Sequence, residues 1–344
     1  MRYRLFSKVI TVCILVNLSN CTNNNTHNNL TEFDKFENCY DINAEAVDWL
    51  DLWVCTDMAI FDRLLVAIDW GKDNIFNVYN IDSQKFIGSF GSHGKGPGEF
   101  AQVPELNSVS YIQNNETIFQ IFNTEKNIIQ NINLNESLKN SKLAIFLEIK
   151  VPDDFVSKKP MYSKESNLYG SNNGQLIRYN THDHSTTYFG EPIHFDQELS
   201  SKFLEIASIM YIELSDDEEH IVGSFNALRR IHIYNIQGDL LKTIKEKGKP
   251  FIKTNYEEFY RENPVCYSKS YAHNEKILVL NQNRLIPMTT SGELLLFNLN
   301  GQALTKYRLD RWISFGAIDW QSRTFYSFDV QEGITISYYL PDLL

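Results

Sequence analysis

Five times along the chain, a bulky apolar residue is followed by asparagine and a short polar run. The copies are Tyr79-Asn80-Ile81-Asp82-Ser83-Gln84, Ile132-Asn133-Leu134-Asn135-Glu136-Ser137, Tyr179-Asn180-Thr181-His182-Asp183-His184, Tyr234-Asn235-Ile236-Gln237-Gly238-Asp239 and Phe297-Asn298-Leu299-Asn300-Gly301-Gln302. Their asparagines are 53, 47, 55 and 63 residues apart. A recurrence of this length constrains a fold more than any single motif. Each unit has an alternating strand such as Arg230-Ile231-His232-Ile233-Tyr234, a polar turn, and a second strand such as residues 240–244. Asn, Gly and Asp tolerate the left-handed backbone of a tight turn. A further β run precedes each pivot, among them residues 63–68, 117–122, 221–225 and 276–280. Three to four strands in about 50 residues is the arithmetic of a propeller blade, not of a sandwich or a helical solenoid.

A sixth unit spans residues 313–340 and ends on Ile334-Thr335-Ile336-Ser337-Tyr338-Tyr339-Leu340, one strand short. A strand from residues 37–54 would complete it, closing the ring and removing open sheet edges. The expected fold is therefore all-β, a six-bladed β-propeller with four-stranded antiparallel blades. The 34 Asn, 22 Phe and 18 Tyr concentrate at the pivots, so the composition records the repeat. Ala46-Val47-Asp48-Trp49, Ala67-Ile68-Asp69-Trp70 and Ala317-Ile318-Asp319-Trp320 recur near the two chain ends that closure brings together, a likeness read as coincidence.

The amino terminus reads as an export signal. Arg2, Arg4 and Lys8 precede an apolar stretch at residues 9–18, too short to span about 30 Å of hydrocarbon as a helix. Leu18-Ser19-Asn20-Cys21 follows and resembles the lipobox of bacterial lipoproteins, which implies lipidation of Cys21. Asn20 departs from the usual small residue, and a plain secretory signal cut elsewhere is the alternative. The uncharged run after Cys21 can bury nothing and suits a tether. The organisation expected is a signal at 1–20, a tether at 21–36 and a propeller at 37–344, anchored in the cell envelope on the periplasmic or the surface face of the outer membrane. Cys39 and Cys55 could pair in an oxidising compartment or remain buried thiols. No C-x-x-C supports zinc or thioredoxin chemistry. The net charge of −11 becomes −14 when the signal's three basic residues are lost. Such a surface argues against nucleic acid and favours neutral or basic partners.

Residues 91–100 read Gly-Ser-His-Gly-Lys-Gly-Pro-Gly-Glu-Phe. The spacing is wrong for a P-loop or a dinucleotide fingerprint, and Pro97 and Glu99-Phe100 lead to another strand instead of a helix. At the crossing from one blade to the next, glycines would let the chain hug its neighbours. This Gly-Lys-Gly-Pro-Gly-Glu-Phe run, with the lipobox and six β units, resembles a signature of six-bladed β-propeller lipoproteins of Gram-negative envelopes, related to NHL-repeat and TolB-like propellers. The resemblance covers residues 41–344. Lys247-Gly248-Lys249-Pro250 is a worn copy of the glycine run, and Leu214-Ser215-Asp216-Asp217-Glu218-Glu219 is similar to the inner hairpin turn of TolB-like blades. It implies fold and address more than chemistry.

Catalytic motifs are missing: there is no G-x-S-x-G and no H-E-x-x-H. His182 and His184 fall in an exposed turn without a third ligand, and residues 216–219 lack the spacing of a preformed calcium loop. No metal, cofactor or catalytic residue is expected. Two insertions with helical periodicity, residues 195–207 and 254–263, lie on the same type of crossing as the glycine loop and should decorate one rim. His93, Lys95 and Glu99 on that rim are the candidate binding residues. The functional expectation is a monomeric binding or scaffold module for a protein or glycan partner, touching the membrane only through its lipid. An NHL-type lyase or hydrolase with a channel metal is the alternative. It would need convergent carboxylates and His on the inner strands, and segments such as 107–110 and 208–211 are poor in both. A sensor domain would need an attached signalling segment.

Overall fold

Three short strands, β1 (Leu30–Phe33), β2 (Asn38–Ile42) and β3 (Glu45–Ala46), come first in the computed structural model, which describes residues 29–153, 155, 159–193, 204, 207–248, 265–284 and 291–343. The first blade is β4 (Cys55–Phe61), β5 (Leu64–Asp69), β6 (Asn74–Asn80) and β7 (Lys85–His93), with β8 (Glu99–Phe100) added parallel to β7. The second is β9 (Glu105–Gln113), β10 (Glu116–Asn123), β11 (Ile128–Asn133) and β12 (Ile145–Lys150), with a helix α1 (Leu134–Asn140) between the last two. The third is β13 (Met161–Tyr162), β14 (Asn167–Asn172), β15 (Gln175–Asn180) and β16 (Thr186–Phe189). The fourth is β17 (Met210–Leu214), β18 (His220–Phe225), β19 (Arg230–Asn235) and β20 (Leu240–Glu246). The fifth is β21 (Val265–His273), β22 (Lys276–Arg284), β23 (Glu293–Asn298) and β24 (Ala303–Leu309). The sixth holds β25 (Gly316–Asp319), β26 (Thr324–Asp329) and β27 (Ile334–Tyr339), and β3 supplies its fourth strand by pairing Ala46 with Ile336. The chain is thus a six-bladed propeller, closed by the expected amino-terminal strand.

The lead-in does more than close the ring. On its way to the sixth blade it adds β1 to the outer edge of the fourth, beside β20, and β2 to that of the fifth, parallel to β24. Residues 30–33 therefore form a strand within the stretch whose composition suggests a tether. Phe33 is buried against Phe36 and Phe297, with ring centroids 5.4 and 5.2 Å away. Thr31–Leu344 forms one compact unit.

Among the described residues, six hydrophobic clusters lie between successive blades, and each takes a bulky residue from the third strand of a blade. Ile132 packs between blades one and two, Tyr179 between two and three, Tyr234 between three and four, and Phe297 between four and five. Tyr338 fills the interface of five and six, and Tyr79 that of six and one. The asparagine after the pivot then organises the turn. Asn80, Asn133, Asn180, Asn235 and Asn298 each accept a backbone N–H from two to four residues downstream through Oδ1. This is the Asx geometry that substitutes for a backbone turn. At Asn133 the outcome differs: its side chain caps α1, so a helical turn stands where a hairpin was expected. Strand register slips at the pivot in blades one, two, four and five, a recurring bulge that bends the outer strand.

The three Ala-x-Asp-Trp copies fall at the ends of β5 and β25 and in the lead-in, and their aspartates are engaged differently. Asp69, fully buried, accepts N–H bonds from Trp53 and Val54 at 2.8 Å and ties the lead-in to the first blade. Asp319 instead holds Arg63 at 2.6 Å, and Asp48 is exposed. Cys39 and Cys55 are both free thiols, the first exposed on β2 and the second buried in β4. Among the described residues, no helix is long and apolar enough to cross a membrane. The signal sequence, Cys21, residues 249–250 and nearly all of both helical insertions lie outside the described residues.

Candidate functional site

Inner strands of a propeller face the axis with alternate residues, so a charge in an otherwise apolar inner strand is directed into the channel or must be paired. Asp57 in β4, Glu213 in β17 and Lys269 in β21 are three such charges. The ring brings them together around a cavity of about 80 Å³ walled by β4, β9, β17, β21 and β25. The expectation that inner strands are poor in carboxylates is corrected here. The segments that suggested it, 107–110 and 208–211, are poor in them, but Asp57 and Glu213 occupy positions outside those segments.

Lys269 Nζ lies 2.7 Å from Asp57 Oδ1 and also donates to the Met58 carbonyl at 3.3 Å. The Asp57 carboxylate accepts the N–H groups of Met58 at 2.9 Å and of Leu106 at 3.2 Å, so three strands converge on it. Burial opposes the charge on Lys269, but Asp57 more than offsets this and holds the ammonium protonated. Tyr271 donates to the Gly316 carbonyl at 2.6 Å, linking blades five and six, and burial pushes its phenol pKa up.

Glu213 is different. It is only 4% exposed, lines the cavity, and its Oε1 has no hydrogen-bond partner among the described residues. Burial raises its pKa to about 7, against the downward pull of Lys159 and Lys269. A second oxygen lining the cavity, Ser108 Oγ, is also buried and unpartnered. A buried polar atom without a partner costs about 1–3 kcal/mol, so two in one cavity mark a place where a donor belongs. At the mouth, Asp216 bonds His273 Nδ1, and the imidazole stacks on Trp320 with centroids 5.2 Å apart.

The rim candidates stand elsewhere. Asp216, Ala272 and Trp320 lie where inner strands end, whereas the glycine loop lies where β9 begins, towards the other end of the channel. His93 is exposed, meets Trp70 at 4.3 Å and bonds the Lys72 carbonyl through Nε2 at 3.0 Å. Lys95 is exposed. Glu99 accepts the Gly96 N–H at 2.8 Å, and a Cβ at Gly94, whose φ is +144°, would sit 2.0 Å from its Oε2. The glycines there make room for the loop's own carboxylate as much as for neighbouring blades. None of these three residues lines the channel cavity.

In the acidic turn between β17 and β18, donor atoms of Asp217, Glu219 and His220 lie within 4.8 Å of one another. They are held by local bonds: Asp217 accepts from Ser215 at 2.5 Å and from the Glu219 N–H at 3.0 Å. His184 bonds Tyr179 at 2.7 Å in its exposed turn.

Among the described residues, the channel can supply the Glu213 carboxyl, the Ser108 hydroxyl, the Asp216–His273 pair at its mouth and the Asp57–Lys269 ion pair. Lys269 is engaged by Asp57, which removes it as a free amine nucleophile and leaves Glu213 as the unpaired deep carboxylate. Calcium takes six to eight oxygens and catalytic zinc three protein ligands, whereas among the described residues no three His, Cys or carboxylate donors lining the channel come within 4.8 Å of one another.

No protein-family model matches this sequence, and no curated protein matches it. Solved structures do. A Bacteroides fragilis protein whose name infers export is 11% identical, with 90% of this chain and 97% of that one covered at a TM-score of 0.55. A member of the DUF4221 family from Bacteroides vulgatus is 10% identical, with 90% and 98% covered at a TM-score of 0.56. At this identity, the likenesses show the propeller fold.

Proposed function

We propose that this chain is an envelope-anchored binding module, lipidated at Cys21, whose ring engages a protein or glycan partner at the mouth of its channel. The observation that carries the reading is Glu213, a carboxyl held buried and unpartnered on the wall of a cavity. A fold that only needed stability would place an apolar residue there. The ring suits such a role: blades four, five and six carry amino-terminal strands on their outer edges, which stiffens the frame that holds the site. The lipobox-like Leu18-Ser19-Asn20-Cys21 supports the anchor, and a fold neighbour whose name infers export fits the same address. The NHL-type enzyme reading has the channel's donor set against it.

The test is retention of native envelope components on immobilised mature protein, comparing wild type with Glu213→Gln and Asp216→Asn. A partner retained by wild type and lost by both variants supports the reading. A partner retained equally by all three, or turnover of a released glycan or peptide, overturns it.

A further inference from the structure

Resting on that reading, the channel can be asked what chemistry it would accept. Glu213 Oε1 accepts when ionised and Ser108 Oγ can accept as well as donate, so a ligand that brings donors satisfies both. Charge points the same way. Asp57 is neutralised by Lys269, whereas among the described residues Glu213 feels Lys159 and Lys269 without a hydrogen bond to its Oε1, and Asp216 at the mouth bonds an imidazole. The mature chain's net charge of −14, from −11 less the signal's three basic residues, would draw cations towards it.

The walls limit which cation fits. Met58, Ala317 and Ile318 present apolar surface, and Tyr271 and Trp320 present rings. Apolar walls suit an alkyl stem and not a hydrated metal ion; Tyr271 already faces Lys269 Nζ at 5.6 Å and Trp320 stacks on His273. The volume of about 80 Å³ leaves room for a short alkyl chain and its head group.

We propose that the channel cavity is a binding site for a primary alkylammonium group of the size of a lysine side chain, with Glu213 and Ser108 receiving the ammonium and Met58, Ala317 and Ile318 packing the stem. The same ammonium chemistry is available from a partner protein's lysine or from a free small amine.

Isothermal titration of the mature protein in detergent at pH 8 tests this with n-butylamine, Nα-acetyl-L-lysine methylamide and n-butanol. Both amines should bind one site, the alcohol at least tenfold more weakly, and Glu213→Gln should weaken the amines at least tenfold. Circular dichroism of Glu213→Gln should match wild type, and Asp216→Asn, at the exposed mouth, should weaken the amines two- to fivefold. Binding of the lysine derivative assigns the site to a protein's lysine; binding of butylamine alone assigns it to free amines. Equal binding of amine and alcohol, no amine binding, or amine binding indifferent to Glu213→Gln overturns the proposal. A channel-dependent partner retained in the preceding experiment alongside any of these results leaves the binding-module reading standing and removes only the ammonium.

Discussion

Replacing Glu213 with glutamine should make the protein more stable, and increasingly so as pH rises. The ordinary carboxyl titrates near 4.5, and burial moves Glu213 to about 7. Below pH 4.5 the group is protonated in both folded and unfolded chains and its titration adds no cost. Between 4.5 and 7 the unfolded chain sheds a proton that the folded one keeps, so stability falls. Above 7 the whole cost is present. The difference of roughly two and a half pH units corresponds to about 3 kcal/mol. The groups that face Glu213 pull in both directions: Lys159 and Lys269 lower its pKa, and Asp216 and Asp57 raise it, so desolvation decides the sign. Glutamine keeps the shape and does not titrate. Urea unfolding of wild type and Glu213→Gln at pH 4.5 and pH 8 measures the effect, with m-values compared to confirm that the same surface is exposed. The advantage of the variant should grow by about 3 kcal/mol between the two pH values. An advantage independent of pH, or a wild type that gains on the variant at pH 8, would refute the desolvated, unpartnered carboxyl.

Lys269→Met should cost about 3–5 kcal/mol in urea unfolding by leaving Asp57 without its cation, and the double variant with Asp57→Asn should recover most of it. Phe33→Ala should cost about 3 kcal/mol, because the ring is buried between Phe36 and Phe297; an unchanged denaturation midpoint would restore residue 33 to the tether. Intact-mass measurement of the protein from its native membrane should find Cys21 as the amino-terminal residue carrying two or three acyl chains, and an unacylated terminus elsewhere would remove the anchor.

The ring is legible in the sequence because one physical requirement repeats. Every blade needs a bulky side chain at the same height to fill the gap to its neighbour, and in five of the six an asparagine after it starts the turn. Tyr79, Ile132, Tyr179, Tyr234 and Phe297 mark five of the six interfaces on that basis. Strands β1 and β2 left no such mark. Leu-Thr-Glu-Phe and Asn-Cys-Tyr-Asp-Ile are short and half-exposed, and what fixes them is an edge offered by blades some two hundred and more residues later. The channel was hidden for a related reason. Asp57, Glu213 and Lys269 are each a single charge in an apolar strand, and nothing local says that they meet. The signal was present: Tyr-Ile-Glu-Leu in β17 and Tyr-Ser-Lys-Ser in β21 place a charge where a strand that begins a blade faces the axis. The dense glycine loop drew attention to His93, Lys95 and Glu99 instead, yet much of its glycine content answers to the folding of the loop around Glu99.

The account turns on whether Glu213 is a desolvated carboxyl awaiting a cation. A carbon-detected NMR titration of its side-chain carboxyl, assigned by its absence in Glu213→Gln, measures this directly with and without n-butylamine. The midpoint should lie near 7 in the free protein and fall when the amine is added. A midpoint near the ordinary 4.5, unmoved by the amine, would contradict it.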